Sequence, residues 1–327
     1  MNALKKFTRS KIFVLLLLLI LVTVFFSVMT NGTFIGLVNI RNIFNSMVVT
    51  AFLTVGAVPL MISGHIDLSA GNVGSMSGML MALLLTNCGL PWPIAVLLAL
   101  AAAAVFGLLN GALVNRFGFQ SLIATLAVAS VAEGATYLIC NSAAIPIKDE
   151  AILAIGSGKI ANVMPITIIL AITAMLVYGI ILAKTNYGKS IYIIGSNPHA
   201  ARLTGLNPKR LHYGLFMNSA ILGGVAGCLL AARLKSGTLV GIGDAQFAGL
   251  TGAILGGVSF GGGAGGMLGA FMGLLILNGF NNGLKVLKLS TYWQTVASGA
   301  LLLIALLFDY LNHRRRVGGI GQSRSRT

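Results

Sequence analysis

Long apolar stretches alternate with short polar stretches along this chain, and most of the apolar stretches have about the length of a membrane span. A helix needs about 20 apolar residues to cross the ~30 Å hydrocarbon core of a bilayer. By this criterion the candidate spans lie at 12–29, 43–63, 68–86, 94–115, 121–140, 164–183, 214–232, 248–263, 266–283 and 291–311. The pattern therefore predicts an all-α polytopic membrane bundle of about ten helices, with one transmembrane domain over residues 12–311.

Two stretches break the apolar pattern with glycine and polar residues. The first lies near 64–74, and the second, which is dense in glycine, covers 248–266. Irregular backbone at membrane depth occurs where protein buries it or where water reaches it. Glycines spaced by three or four residues also allow two helices to approach closely. We therefore predict discontinuous or short helices in both stretches.

The composition agrees with a membrane location. Hydrophobic residues make up 57% of the chain and charged residues 9%, whereas soluble domains average about 25% charged residues. The net charge of +16 is not taken as a sign of a nucleic-acid partner, because Lys and Arg cluster at the ends of the apolar stretches, where they determine topology. With ten spans, fifteen of the 22 basic residues fall on the side of the two termini, 1–11 and 312–327. The positive-inside rule then predicts that both termini are cytoplasmic.

The polar segment 184–213 separates two of the predicted spans. It contains five basic residues and no acidic residue, which is typical of a cytoplasmic loop. Asn197 is a favourable N-cap, a proline follows it at the first helical position, and Gly205 is a favourable C-terminal cap. These signals predict a short helix over 199–204 that docks a soluble partner. An ordinary loop that only separates two spans is the alternative interpretation.

Acidic residues are rare in the apolar part of the chain: Asp67 and Glu133 lie in its interior, and Asp309 lies near the end of the last predicted span. A charged side chain at the bilayer centre costs about 2.5–3.5 kcal/mol on insertion scales, so such residues usually mark a pathway or a buried pair. Asp67 either lines a route or is the N-cap of a helix that starts at Leu68 at the membrane surface. For Glu133 a hydrogen bond between helices is the expected role. The candidate translocation-path residues are Asp67, Ser69, Asn72 and Asn278.

No catalytic, cofactor or metal site is predicted. Residues 188–190 resemble the end of a phosphate-binding loop, but the required first glycine is replaced by Ala183. Gly261, Gly263 and Gly266 have the spacing of a dinucleotide fingerprint, but they lie in an apolar segment without a βαβ unit. The four histidines are dispersed and the three cysteines are scattered. The sequence therefore argues against an enzyme.

Three motifs carry a resemblance to a known family. Residues 64–71 read Gly-His-Ile-Asp-Leu-Ser-Ala-Gly, where the family has Gly-Gly-Ile-Asp-Leu-Ser-Val-Gly. Residues 193–206 read Ile-Ile-Gly-Ser-Asn-Pro-His-Ala-Ala-Arg-Leu-Thr-Gly-Leu, and a family-like glycine run covers 255–263. Over nearly its whole length the chain resembles the permease subunits of bacterial ABC importers for ribose, xylose, galactosides, related sugars and autoinducer. His65 departs from the family pattern, because a glycine is usual there.

The resemblance implies a multi-pass protein of the bacterial inner membrane that forms the path for a sugar. It implies three partners: a separate cytoplasmic ATP-binding subunit, a periplasmic sugar-binding protein, and a second permease copy or paralogue. Permeases for nucleosides or branched-chain amino acids are alternatives, and an ion-coupled secondary transporter is an alternative from another class. The residues that the resemblance assigns to ATPase coupling are Gly195, Asn197, Ala201, Arg202 and Gly205.

Overall fold

The computed structural model describes residues 11–160, 164–239, 242–290, 292–297, 299–300, 303–304 and 307. The helices are α1 (Lys11–Met29), α2 (Leu37–Ile62), α3 (Ala70–Thr86), α4 (Trp92–Asn115), α5 (Ser121–Cys140), α6 (Glu150–Ser157), α7 (Ile166–Lys184), α8 (Asn186–Ser196), α9 (Pro198–Leu203), α10 (Pro208–Leu234), α11 (Gly243–Leu255) and α12 (Met267–Val286). A 3₁₀ turn covers Thr33–Ile35. The short strands are β1 (Ile145–Pro146), β2 (Lys159–Ile160), β3 (Met164–Pro165) and β4 (Ser236–Gly237).

Seven helices of the described chain are long and apolar enough to cross a membrane: α1, α2, α4, α5, α7, α10 and α12. The predicted all-α membrane bundle is therefore confirmed. Helix α3 is apolar but has only 17 residues, which gives a length of about 25 Å. In the predicted span 291–311, the described residues 292–297, 299–300, 303–304 and 307 are helical. Residues 1–10 and 312–327 lie outside the described residues.

One predicted span is wrong. The segment 248–263 is not a single helix, because α11 begins earlier, at Gly243, and ends at Leu255 after 13 residues. The residues that follow, up to Gly266, are not helical. Within them Gly257, Gly262, Gly263 and Gly265 have positive φ angles, a conformation that side chains other than glycine rarely adopt. These glycines end the helix although the hydropathy of the segment continues.

The helices run back and forth between two ends of the bundle. At one end, called the hairpin end, β1 pairs with β4 and β2 pairs with β3, both antiparallel. Asp149 caps α6 there by accepting a hydrogen bond from Ile152 N at 3.0 Å. The segment 184–213, called the connector, lies at the opposite end and contains α8 and α9. We call this the connector end.

Helices α2, α3 and α10 form the centre of the bundle, and α10 packs against α2, α3 and α4. Their close approach depends on small residues. A Cβ on Gly78 would lie 2.6 Å from the carbonyl oxygen of Gly227, and a Cβ on Gly223 would overlap the carbonyl oxygen of Ala70. Helix α10 can therefore lie against α3 only with glycine at these positions. Helices α1, α4 and α7 lie at the outside and expose mostly apolar side chains.

Candidate functional site

The break between α2 and α3 places a carboxylate inside the bundle. Residues 63–69 are not helical, and Gly64 has a φ of +91°. Asp67 and Ser69 follow and are both fully buried. The Asp67 Oδ1 atom accepts hydrogen bonds from Ser69 N at 2.8 Å and from Ser69 Oγ at 2.6 Å. Within the break, Asp67 and Ser69 thus form a short turn that is held by hydrogen bonds to the Asp67 side chain.

Three other helices bind this turn through polar side chains. Asn110 of α4 donates from Nδ2 to Ser69 Oγ at 2.7 Å, and Gln246 of α11 donates from Nε2 to the carbonyl oxygen of Asp67 at 2.8 Å. Thr125 Oγ1 of α5 accepts from the backbone N–H of Leu68 at 3.1 Å. We call this set the polar cluster; its members are Asp67, Ser69, Asn110, Thr125 and Gln246. Hydrophobic periodicity did not identify the last three, although each is an isolated polar side chain in an apolar helix.

The polar cluster contains unused hydrogen-bonding capacity. The Asn110 Oδ1 and Gln246 Oε1 atoms are buried and have no hydrogen-bond partner within the described residues. Asp67 Oδ2 forms no hydrogen bond of ordinary geometry there, but the buried Ser219 hydroxyl of α10 faces the Asp67 carboxylate. A buried polar atom without a partner costs about 1–3 kcal/mol. Such oxygens are therefore ready acceptors for water or for a hydroxylated molecule.

Asp67 has the bonding pattern of a capping residue, but not the position that the capping interpretation gave it. Helix α3 begins at Ala70, and Ser69 occupies its N-cap position. Asp67 lies two residues earlier, bonds the N–H of Ser69 itself, and is buried rather than at the surface. The bond from an N–H group two residues along the chain is the pattern of a cap or an Asx turn, so Asp67 caps the turn before α3 from a buried position.

The other two candidate path residues lie in different places. Asn72 is on α3 one turn beyond Ser69, and its Nδ2 donates to the carbonyl oxygen of Ala129 on α5 at 3.2 Å. Asn278 donates to Leu274 O of its own helix at 3.0 Å, and α12 packs against α1, α2 and α11. The structure therefore brings Asp67, Ser69 and Asn72 together but not Asn278.

The connector contains the predicted short helix, α9, which begins at Pro198. Asn197 Oδ1 accepts from the N–H groups of His199 and Ala200, both at 3.0 Å, which confirms the N-cap. At the other end Gly205 has a φ of +81°. Its N–H bonds Arg202 O at 3.0 Å, and the next N–H, of Leu206, bonds the carbonyl of Ala201 at 3.1 Å. This pair of bonds is a Schellman motif, and the predicted glycine cap is confirmed.

Helix α9 has one buried residue. Ala201 is fully buried, while Arg202 is exposed and Leu203 is 81% exposed. A six-residue helix with capped ends and an exposed basic and apolar surface is suited to contact with another protein.

A second set of contacts joins the connector to both breaks of the bundle. A Cβ on Gly195 would overlap the carbonyl oxygen of Ile62, the last residue of α2. The same oxygen accepts a hydrogen bond from Gly263 N at 2.8 Å. A Cβ on Gly262 would in turn lie 3.0 Å from both Gly195 O and Gly64 Cα. We call this set, Ile62, Gly64, Gly195, Gly262 and Gly263, the glycine junction.

His65 occupies the space beside the glycine junction and packs against α10. Its ring centre lies 4.3 Å from that of His212, in an edge-to-face arrangement. His212 Nδ1 lies 3.1 Å from Asn115 Oδ1, and the Asn115 amide nitrogen donates to Gly111 O. The residue that departs from the family pattern therefore takes part in a contact between the first break and α10.

Comparison with known proteins identifies the family. A family model described as "branched-chain amino acid transport system / permease component" matches residues 39–306. The xylose transport system permease protein XylH of Haemophilus influenzae is 24% identical over 95% of this chain and 99% of its own length.

The matches to two further relatives also cover most of the chain. The L-arabinose ABC transporter permease protein AraH of Azospirillum brasilense is 31% identical over 85% of this chain and 82% of its own length. The galactose/methyl galactoside import permease protein MglC of Haemophilus influenzae is 29% identical over 93% of this chain and 94% of its own length. No solved structure matches the chain. The chain belongs to the permease-component family of the branched-chain amino acid transport system type.

Proposed function

We propose that this chain is the membrane-spanning permease subunit of an ATP-binding-cassette importer for a monosaccharide or related sugar. The observation that carries the proposal is the alignment of relatives named for xylose, L-arabinose and galactose transport over 95%, 85% and 93% of the chain. The fold supports it, because the bundle contains a buried polar cluster with free acceptors beside a break in the helices.

The connector is the proposed contact with a separate ATPase chain. Arg202 and Leu203 on α9 point away from the bundle, while Ala201 anchors the helix. A displacement of α9 by the ATPase would be transmitted to the glycine junction through Gly195, because Gly195 lies against the carbonyl oxygen of the last residue of α2. Coupling requires an element that both sites can bias between two positions. The connector and the breaks together are that element in our proposal.

The remaining assembly follows from the same proposal. The connector end is cytoplasmic, as are residues 1–11 and the basic tail 312–327. A periplasmic sugar-binding protein docks at the hairpin end, and a second permease copy or paralogue completes the path. The membrane is the bacterial inner membrane.

The experiment that tests the function is purification of this chain from its native membrane under mild conditions, with its partners identified by mass. We expect an ATPase chain and a sugar-binding protein in the complex, and the ligand of the binding protein defines the substrate. Recovery of the chain alone, together with uptake that survives ATP depletion but collapses with the ion gradient, would identify a secondary transporter instead.

A second candidate substrate class is set by the family model, whose description names branched-chain amino acids. Nucleosides form a third class. The same purification separates the three classes, since the co-purified binding protein binds a sugar, an amino acid or a nucleoside in a direct ligand-binding measurement.

A further inference from the structure

The outward face of α5 differs from the outward faces of the other peripheral spans. The exposed residues of α4 are apolar and include Leu97 and Val105. Those within the membrane-spanning part of α7 are uncharged and mostly apolar, as at Leu176 and Ile180, with Thr173 as a polar exception. Helix α5 instead exposes the carboxylate of Glu133. Among the seven long apolar helices in the described part of the chain, α5 is the one that exposes an acidic side chain. The hydrogen bond between helices expected for Glu133 is absent from the described residues.

Glu133 belongs to a polar stripe. Ser130, Glu133 and Tyr137 are spaced by three and four residues and therefore lie on one face of α5. All three are exposed, and a Cβ on the neighbouring Gly134 would meet nothing within 4 Å. Ser130 Oγ bonds only a carbonyl of its own helix, Leu126 O, at 3.3 Å. We call Ser130, Glu133 and Tyr137 the α5 seam.

The α5 seam lies well inside the span. Glu133 is 12 residues from the start of α5 at Ser121 and seven from its end at Cys140. These separations correspond to about 18 Å and about 10 Å along the helix axis. Both values place the carboxylate within the depth of the hydrocarbon core rather than at a headgroup.

A separate polar contact joins the buried side of α5 to α3. Asn72 donates to Ala129 O, the residue before Ser130, and a Cβ on Gly243 would lie 2.7 Å from Asn72 Oδ1. The residue after Gly243 is Asp244, which is exposed. Asn72 thus links α5 with the start of α11, and Ser69 of the polar cluster lies three residues before it along the chain.

We infer that the α5 seam lines the water-filled sugar path and that Glu133 accepts hydrogen bonds from the hydroxyl groups of the passing sugar. An ionised carboxylate that faces lipid is costly, so this face is covered by water or by protein. A dry two-fold contact centred on the seam would bring the two copies of Glu133 close together, and one centred elsewhere would bury the carboxylate away from water. Water and polyol hydroxyls satisfy a carboxylate without this repulsion or burial. The inference rests on the proposed function, since it takes the sugar as the cargo.

The test is labelling of single cysteines in native membranes by a charged, membrane-impermeant methanethiosulfonate. The background replaces exposed Cys88 by Ser and buried Cys140 and Cys228 by Ala. The test variant is Ser130→Cys, and the control is Val105→Cys on the apolar face of α4. Both positions are exposed, and they lie about 14 Å and about 15 Å from the connector ends of their helices. The two cysteines are therefore at about the same depth in the membrane, and they differ in whether they lie on the α5 seam or on an apolar helix face.

We expect labelling of Ser130→Cys to be at least roughly tenfold faster than labelling of Val105→Cys, because thiol reagents attack the hydrated thiolate. Equal, slow labelling of the two would overturn the inference and place the seam in lipid or in a dry contact. Oxidative cross-linking of Ser130→Cys between copies without labelling would overturn it in favour of the dry contact.

A second measurement probes the hydrogen-bonding role. Glu133→Leu is expected to reduce sugar uptake about tenfold, the effect of one charge-assisted hydrogen bond. Glu133→Gln retains an acceptor and should restore most of the uptake. Equal uptake in both variants and in the unmodified chain would contradict the role. Co-purification of the ATPase from the same membranes is measured separately. If the ATPase is recovered but Ser130→Cys is not labelled, the inference about α5 fails while the proposed function stands.

Discussion

The two breaks in the bundle meet at the glycine junction but are held in different ways. The first, residues 63–69, is held by side chains, since Asn110, Thr125 and Gln246 all bond to it. The second, residues 256–266, is shaped largely by its own backbone, with Ser259 N bonded to Ala264 O at 2.9 Å. The comparison separates two roles. The first break carries polar chemistry, whereas the second supplies a rigid glycine shape.

The connector contacts the two breaks in correspondingly different ways. Tyr192 of α8 donates its hydroxyl to Gly265 O at 2.9 Å and so binds the second break directly. Gly195 fits against the carbonyl oxygen of Ile62, the residue before the first break, and also lies close to Gly263 of the second. The following predictions test whether the steric fit at the glycine junction and the hydrogen bonding in the first break can be disrupted independently of each other.

The largest effect is expected from Gly195→Ala. The added Cβ would overlap the carbonyl oxygen of Ile62, so either α8 or the end of α2 must move. We expect a loss of about 3 kcal/mol in the free energy of unfolding, the upper end for an overpacked site, and loss of sugar-stimulated ATPase activity in the reconstituted complex. Thermal unfolding in detergent measures the first quantity.

The matched control is Gly214→Ala on α10, where the nearest atom to a new Cβ is the Tyr187 hydroxyl at 3.9 Å. Both glycines are helical, so the favourable propensity of Ala is the same in each. Normal stability and coupling of Gly195→Ala would show that the junction is not needed for coupling.

The next effect is expected at the first break. Asp67→Ala removes the acceptor of two hydrogen bonds from Ser69, both in a fully buried site. Leaving buried donors unpaired costs about 1–3 kcal/mol. We predict that uptake falls more than the amount of assembled protein in the membrane, measured as transport per mole of inserted chain. Asp67→Asn retains the Oδ1 acceptor and should assemble normally. If Asp67→Ala prevents insertion, the role of Asp67 is structural.

The sequence predicted the parts of this molecule that depend on local signals. Asn197 and Gly205 were identified as caps because each satisfies backbone groups within three or four residues of itself. The apolar spans followed from composition alone. The interruption within 248–266 was predicted from its glycines, but the end of the helix was placed at 263 instead of Leu255, because these glycines leave the segment apolar.

The polar cluster could not be assembled from local signals. Asn110 is 41 residues from Ser69, and Gln246 is 179 residues from Asp67. Nothing in the spacing of these residues indicates that α4 and α11 bring them to the same break. The exposure of Glu133 was likewise missed, since a polar residue in an apolar helix is compatible with either a buried bond or an open face until the packing is known.

A smaller and more specific effect is expected from Arg202→Glu on α9. Arg202 is exposed, so the stability of the isolated chain should not change. We expect roughly tenfold weaker binding of the ATPase, the size of a moderate interface hot spot. The control is Lys189→Glu, which makes the same charge change at an exposed position of α8. Pull-down of the ATPase at wild-type levels by Arg202→Glu would contradict the role of α9 in docking.

The smallest effect is expected from Asn197→Ala, which tests whether the connector is held by its cap or by the junction. The substitution removes the acceptor for the N–H groups of His199 and Ala200 and leaves the contact of Gly195 with Ile62 intact. Loss of an N-cap costs about 1 kcal/mol, which corresponds to about fivefold faster amide exchange through local opening of α9. Hydrogen–deuterium exchange of residues 198–204 measures this rate, and Asn197→Asp, which retains a capping oxygen, is the control. If the Ala and Asp variants exchange alike, α9 is fixed by the burial of Ala201 rather than by its cap, and the steric fit at the junction is then sufficient to position the connector.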